Sequence, residues 1–184
     1  STFLILSVVG LNAQNDSRKM NWGESFEVLI EKYPEVDFIE ETEIGIGWIG
    51  YFHFGYVSGR RARINYLFIN NKLVLGSYDF TPERSSSFAK DFVKDFDALS
   101  EKLQSKYEMD SNDIWYKDNN IDLDLMGFDY YLALGDVELK ETSFSEKTVI
   151  AHTLEKSEGT ISHMLIYAGV KYFESREDSD FDDL

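Results

Sequence analysis

The chain has 184 residues, 18 Lys and Arg against 34 Asp and Glu, and a formal net charge of -16. That field repels phosphate backbones and anionic membrane surfaces, so no nucleic acid partner is expected. The absence of cysteine excludes disulfides, thiolate metal sites, cysteine nucleophiles and a lipid-modified cysteine in these residues. Aromatic residues make up 15% of the chain, enough apolar material for a well-buried core.

The opening stretch STFLILSVVGLNA is nearly all apolar from Phe3 to Val9, followed by Gly10 to Ala13 and a polar run. It reads as the end of a signal peptide, residues 1–13, cut after Ala13. A buried N-terminal strand is the alternative. Residues 14–21 read as a polar leader. The expected location is periplasmic or secreted, and no stretch is long enough to form a transmembrane segment.

NWGESFEVLIEKYP places Phe26, Leu29, Ile30 and Tyr33 at helical spacing. Ser25 or Asn21 is positioned to cap this helix, and Pro34 removes Tyr33 from the helical region. GIGWIG, Gly45 to Gly50, spells the dinucleotide-binding glycine pattern. The fingerprint requires an apolar strand before it and a helix after it, whereas IEETE precedes and the strand-like YFHFGYV follows. The glycines are read as places where a strand bends.

Three apolar runs follow, joined at Ser58-Gly59 and Asn70-Asn71, pairs suited to tight hairpin turns. The first turn sets Tyr56 opposite Arg61, Phe54 opposite Arg63 and Phe52 opposite Asn65. The other face carries Ile49, Tyr51, His53, Ile64, Tyr66 and Phe68 and is assigned to the core. The second turn is expected to pair Phe68 with Leu73 and Tyr66 with Leu75. On the outward face, Phe52, Phe54, Tyr56, Arg61 and Arg63 form an aromatic-cation patch, rich in residue types that carry interface energy. These five are the candidate partner-binding residues.

TPERSSSFAKDFVKDFDALSEKLQSKY reads as a long helix with Thr81 as cap and Pro82 in its first turn. Phe88, Phe92, Phe96, Leu99 and Leu103 make one apolar stripe, expected to lie on a large sheet face. DIWYKD and the alternating IDLDL, with Asp122 and Asp124 outward, are strand candidates. DNNIDLDLMGFD partly matches a calcium loop, but Leu123 replaces the turn glycine and Asp129 the bidentate Glu. Tyr130 to Leu134 fits either a strand or a helical turn. GDVELKETSF, KTVIAHTLEK and ISHMLIYAGVKYF complete the strands. A turn at Glu158-Gly159 sets His152 opposite Leu165 and His163 opposite Leu154, so the two histidines share a face as diagonal neighbours. They are the only metal-ligand candidates, with no third ligand evident, and no cofactor is expected. ESREDSDFDDL, residues 174–184, reads as an acidic, disordered tail.

WGESFEVLIEKYP resembles the helix opening W-G-x-S-x-x-x-V/L of small exported α-β-β-β domains. GDVELKETSF, KTVIAHTLEK and ISHMLIY resemble the terminal strands of uncharacterised exported bacterial proteins with that opening. At the level of fold, such chains resemble the tandem-repeat β-lactamase-inhibitor-protein type and the small outer-membrane-assembly lipoprotein type. The resemblance carries no catalytic residue, and the lipid-anchoring cysteine of the second type has no counterpart here.

The expected fold is α+β: an antiparallel sheet with helices on one face, in a single domain over 22–173 made of two α-β-β-β units, about 22–80 and 81–173. The expected function is a non-enzymatic exported binding or scaffolding module of the bacterial cell envelope whose partner is an envelope protein. A secreted or periplasmic hydrolase using carboxylates or the His152–His163 pair is the alternative.

Overall fold

A computed structural model of the chain describes residues 20–45, 47–80, 89–109, 113–116 and 121–172. The leader, Thr81, Pro82, Phe88, Asp118 to Asn120 and the acidic tail lie outside the described residues. Eight strands form one antiparallel sheet. They are β1 (Ile39–Gly45), β2 (Trp48–Val57), β3 (Arg60–Ile69), β4 (Lys72–Asp79), β5 (Asp113–Tyr116), β6 (Val137–Phe144), β7 (Thr148–Ser157) and β8 (Thr160–Gly169). The helices are α1 (Phe26–Lys32), α2 (Ala89–Gln104), α3 (Leu123–Met126) and α4 (Phe128–Leu134). This is an α+β fold. No described helix is long and apolar enough to cross a membrane.

The strand order is β1-β2-β3-β4-β8-β7-β6-β5. Every pair joins sequence neighbours except β4 with β8 at the centre. Three hairpins set the registers. Their central residues, Ser58-Gly59, Asn70-Asn71 and Glu158-Gly159, all have φ between 49° and 82°. That is the type I′ geometry, whose twist matches that of the flanking strands. Phe52, Phe54 and Tyr56 accordingly pair with Asn65, Arg63 and Arg61, as the turn chemistry predicts.

The β3–β4 register departs from expectation. Phe68 pairs with Leu73, but Leu67 pairs with Leu75 and Tyr66 with Gly76, so Val74 is an extra residue in β4. The bulge lets Leu73 and Val74 both be fully buried. β1 is a second departure. IEETEIG lacks an apolar alternation, yet it pairs with β2 as an edge strand with an irregular register between Glu41 and Gly45. Charge along an edge is normal, because one side of the strand has no neighbour to pack. IDLDL is a third. Asp122 accepts hydrogen bonds from the backbone N–H groups of Asp124 and Leu125, both at 3.1 Å, and starts α3 instead of extending a strand. Asp so placed favours a helix cap over the strand its alternation suggests. Tyr130 to Leu134 belongs to α4.

The register puts Tyr51, Ile64, Tyr66, Tyr78, Leu165, His152 and Glu141 on one face of the sheet. The helices pack there. Phe26 of α1 stacks on Tyr51 at 3.6 Å between centroids, and Phe96 of α2 stacks on His152 at 3.9 Å. Phe92, Phe96, Leu99 and Leu103, the described part of the apolar stripe, are all buried. The core falls into two clusters. One gathers α1, the first four strands, Leu99, Leu103, Ile150, Leu165 and Tyr167. The other gathers Ala89, Phe92, Phe96, Leu132, Val137, Leu139, Leu154 and Ile161.

Candidate functional site

The opposite face of the sheet carries the aromatic-cation patch. Strand alternation sends Phe52, Phe54 and Tyr56 away from α1, and the Ser58-Gly59 turn brings Arg61 and Arg63 across from them. The Arg63 guanidinium lies 3.9 Å above the Phe52 ring, and that of Arg61 lies 5.3 Å from the Phe54 ring. Phe52 and Phe54 meet edge to face at 5.9 Å. Cation–π contacts of this kind contribute about 0.5–1 kcal/mol each at exposed sites. They also hold the long Arg side chains in fixed positions, which lowers the entropy lost when a partner docks. Tyr56 is 70% exposed and Phe54 47%. Ile39 of β1, beside Phe52 in the register, extends the apolar surface and is also exposed.

By register, Arg61, Arg63, Lys72 and Lys140 share this face with Asp79, Glu138 and Glu155. The two arginines lie on β3 close to the aromatics, whereas Glu138 and Glu155 lie toward the other end of the sheet, on β6 and β7. Asp79 stands directly opposite Arg63 in the β3–β4 register, so it offsets part of the positive charge of the patch.

His152 and His163 form a second constellation on the core face. The hairpin register pairs them with Leu165 and Leu154 as the turn predicts, but their side chains approach much more closely than diagonal Cβ spacing suggests. Their Nε2 atoms are 2.8 Å apart, a direct hydrogen bond. His152 Nδ1 lies 2.5 Å from Glu141 Oε1, and Ser100 Oγ donates to Glu141 Oε2 at 2.7 Å. Gln104 Nε2 in turn donates to Ser100 Oγ at 3.2 Å. Both histidines are 0% exposed, and Glu141 and Ser100 are buried with them. Burial holds the His152 imidazole below its ordinary pKa; the hydrogen bond and charge of Glu141 offset part of that shift.

Glu141 is the partner that the histidines lacked in the sequence. It occupies a core slot in the alternation Val137, Leu139, Glu141, Ser143 and stands directly opposite His152. Ser100 lies four residues beyond Phe96, on the buried side of α2. An acidic side chain in a buried strand slot facing a histidine is the signal that reveals the chain of contacts. The geometry is that of a hydrogen-bonded stack and not a ligand set: the two Nε2 atoms face each other at contact distance, and among the described residues no group of three His, Asp or Glu side chains is placed to hold a metal ion.

Two cavities indent the surface. One of about 290 Å³ is lined by Asn21, Trp22, Glu146, Lys147 and Lys171. The other, about 250 Å³, lies between the end of α2 and the β2–β3 turn, over Tyr78, Leu165 and Tyr167. Neither is lined by the histidines or Glu141. Comparison of the chain with family models, curated proteins and solved structures gives no match.

Proposed function

We propose that this chain is a non-enzymatic binding module of the bacterial cell envelope, exported by the apolar stretch at residues 1–13, that engages a protein partner through the open face of its sheet. The observation that carries the reading is the ordered aromatic-cation patch: Phe54 and Tyr56 stand exposed, with Arg61 and Arg63 fixed against Phe54 and Phe52. Aromatic and Arg side chains dominate interface energetics. The partner's contacting surface is apolar with acidic groups, matching rings flanked by guanidinium charge. The hydrolase alternative draws no support from the histidines. A general acid or base must come within hydrogen-bond reach of its substrate, and His152 and His163 are sealed beneath Phe96.

The test is capture from an envelope extract by immobilised protein. The double substitution Phe54→Ala with Arg63→Ala abolishes capture while circular dichroism and the thermal midpoint stay close to wild type. Undiminished capture by that variant refutes the assignment of the face.

A further inference from the structure

The buried chain of polar groups separates the two apolar clusters. On β7, His152 lies between Ile150 of the first cluster and Leu154 of the second. On β8, His163 lies between Ile161 of the second and Leu165 of the first. α2 spans both, with Leu99 and Leu103 in the first, Phe92 and Phe96 in the second, and Ser100 bonded to the seam itself. One helix thus closes two apolar compartments across a polar partition.

The donors and acceptors of the partition are ordered. Glu141 accepts from Ser100 and from Nδ1–H of His152. The Nε2 of a neutral His152 then has only an acceptor to offer, so His163 Nε2 carries the proton between them. One added proton can be held: it enters at His163 Nδ1, the proton between the rings passes from His163 Nε2 to His152 Nε2, and His152 becomes an imidazolium against Glu141 whose Nε2–H donates to His163. A second cannot, because two N–H groups and two positive charges then face each other at 2.8 Å.

We propose that this partition is an acid-operated latch: neutral, it holds the first half of α2 and α4 over the second apolar cluster, and proton uptake by His152 and His163 opens that cluster while the first, with Leu99 and Leu103, stays packed. It uses side chains distinct from the open sheet face and stands whether or not that face binds a partner. The surrounding groups are consistent with this direction. From α2, Asp97 is exposed at the protein surface, and partial burial together with the charges of Glu101 and Glu141 raises its carboxyl above the ordinary value. Protonation of Asp97 relieves repulsion and favours the closed form, so it does not drive opening. From β6 comes Glu141, and from β8 His163. Phe80, just beyond β4, contributes only a ring, 4.9 Å from His163. In the open form the imidazoles meet water and titrate near the ordinary value of about 6.5. In the closed form His152 titrates lower, so the closed form is fully favoured above about pH 6.5 and loses ground as pH falls below it.

Hydrogen exchange of the full chain, read by mass spectrometry at pH 7.5, 6.5 and 5.5 and corrected for intrinsic rates, tests the latch. Between pH 6.5 and 5.5 the opening equilibrium for peptides of α4, β6 and the first half of α2 rises by up to about 5-fold for each proton taken up, hence up to about 30-fold for two. Peptides of β2 and β3 keep their protection. His163→Gln retains an N–H donor toward His152 and leaves one titrating ring, so its rise over the same interval is at most about 5-fold. Exchange that does not change with pH, an equal loss of protection in β2 and β3, or an unaltered slope in His163→Gln overturns the proposal. Should that variant not fold, proton NMR of the wild-type histidines decides. The buried pair must titrate only as protection is lost, and titration without opening refutes the latch.

Discussion

Phe96 is the residue on which most of the second cluster turns, and replacing it with Ala has a predictable cost. The ring is 0% exposed and lies flat on His152, with 3.9 Å between centroids and 7° between planes. Truncating a buried Phe to Ala costs about 3–5 kcal/mol, the larger values arising where the surroundings do not collapse into the space. Here they do not, because the imidazole beneath is held at 2.5 Å by Glu141 and at 2.8 Å by His163. The loss belongs in the upper part of the range, about 4 kcal/mol. With a urea m-value of about 2 kcal/mol/M, the unfolding midpoint falls by about 2 M. Urea titration followed by tryptophan fluorescence measures it, and an unchanged m-value shows that the effect is on stability. Phe144→Ala is the control: that ring is 68% exposed, and its removal changes stability by no more than about 0.5 kcal/mol. If Phe96→Ala is too unstable to purify, Phe96→Leu keeps most of the volume and costs about 1.5 kcal/mol. Equal midpoints for the Phe96 and Phe144 variants would refute the packing described here.

Glu141→Leu leaves Ser100 and His152 buried without their acceptor and costs about 3–5 kcal/mol, whereas Glu141→Gln retains an acceptor oxygen and costs about 1–3 kcal/mol; denaturant titration of the pair distinguishes them. Gly59→Ala and Gly159→Ala each cost about 1–2 kcal/mol through backbone strain alone, since φ is +79° and +82° and an added Cβ meets nothing within 4 Å. For a chain of this size that lowers the thermal midpoint by about 2–4 °C per kcal/mol, and Glu158→Asn, which suits its φ of 50° better, raises it.

The hairpins were legible because their turn residues demand a particular geometry, and that geometry fixes which side chains face which. Ser58-Gly59 determined the pairing of Phe54 with Arg63, and with it the composition of both faces of β2 and β3. Two kinds of feature escaped. β1 is an edge strand whose acidic residues hide it from any search for apolar alternation. The bulge at Val74 leaves no mark in the sequence, because LVL packs equally well with or without an extra residue. The histidine pair shows how far pairing alone reaches. Register placed His152 and His163 on one face, but the closeness of their rings depends on Phe96 above them and Glu141 beside them. Those two come from elements whose placement over the pair no local pattern encodes.

The central position of the β4–β8 pair has a consequence for synthesis. The first four strands are sequence neighbours joined in succession, so they can associate as soon as they emerge. β4 then presents one bare edge, the backbone from Leu75 to Asp79, until β8 is made some eighty residues later. During that interval the nascent protein carries a strand edge open to pairing with any other chain, a template for aggregation. Of the eight described strands, the last to be made is the one that seals it.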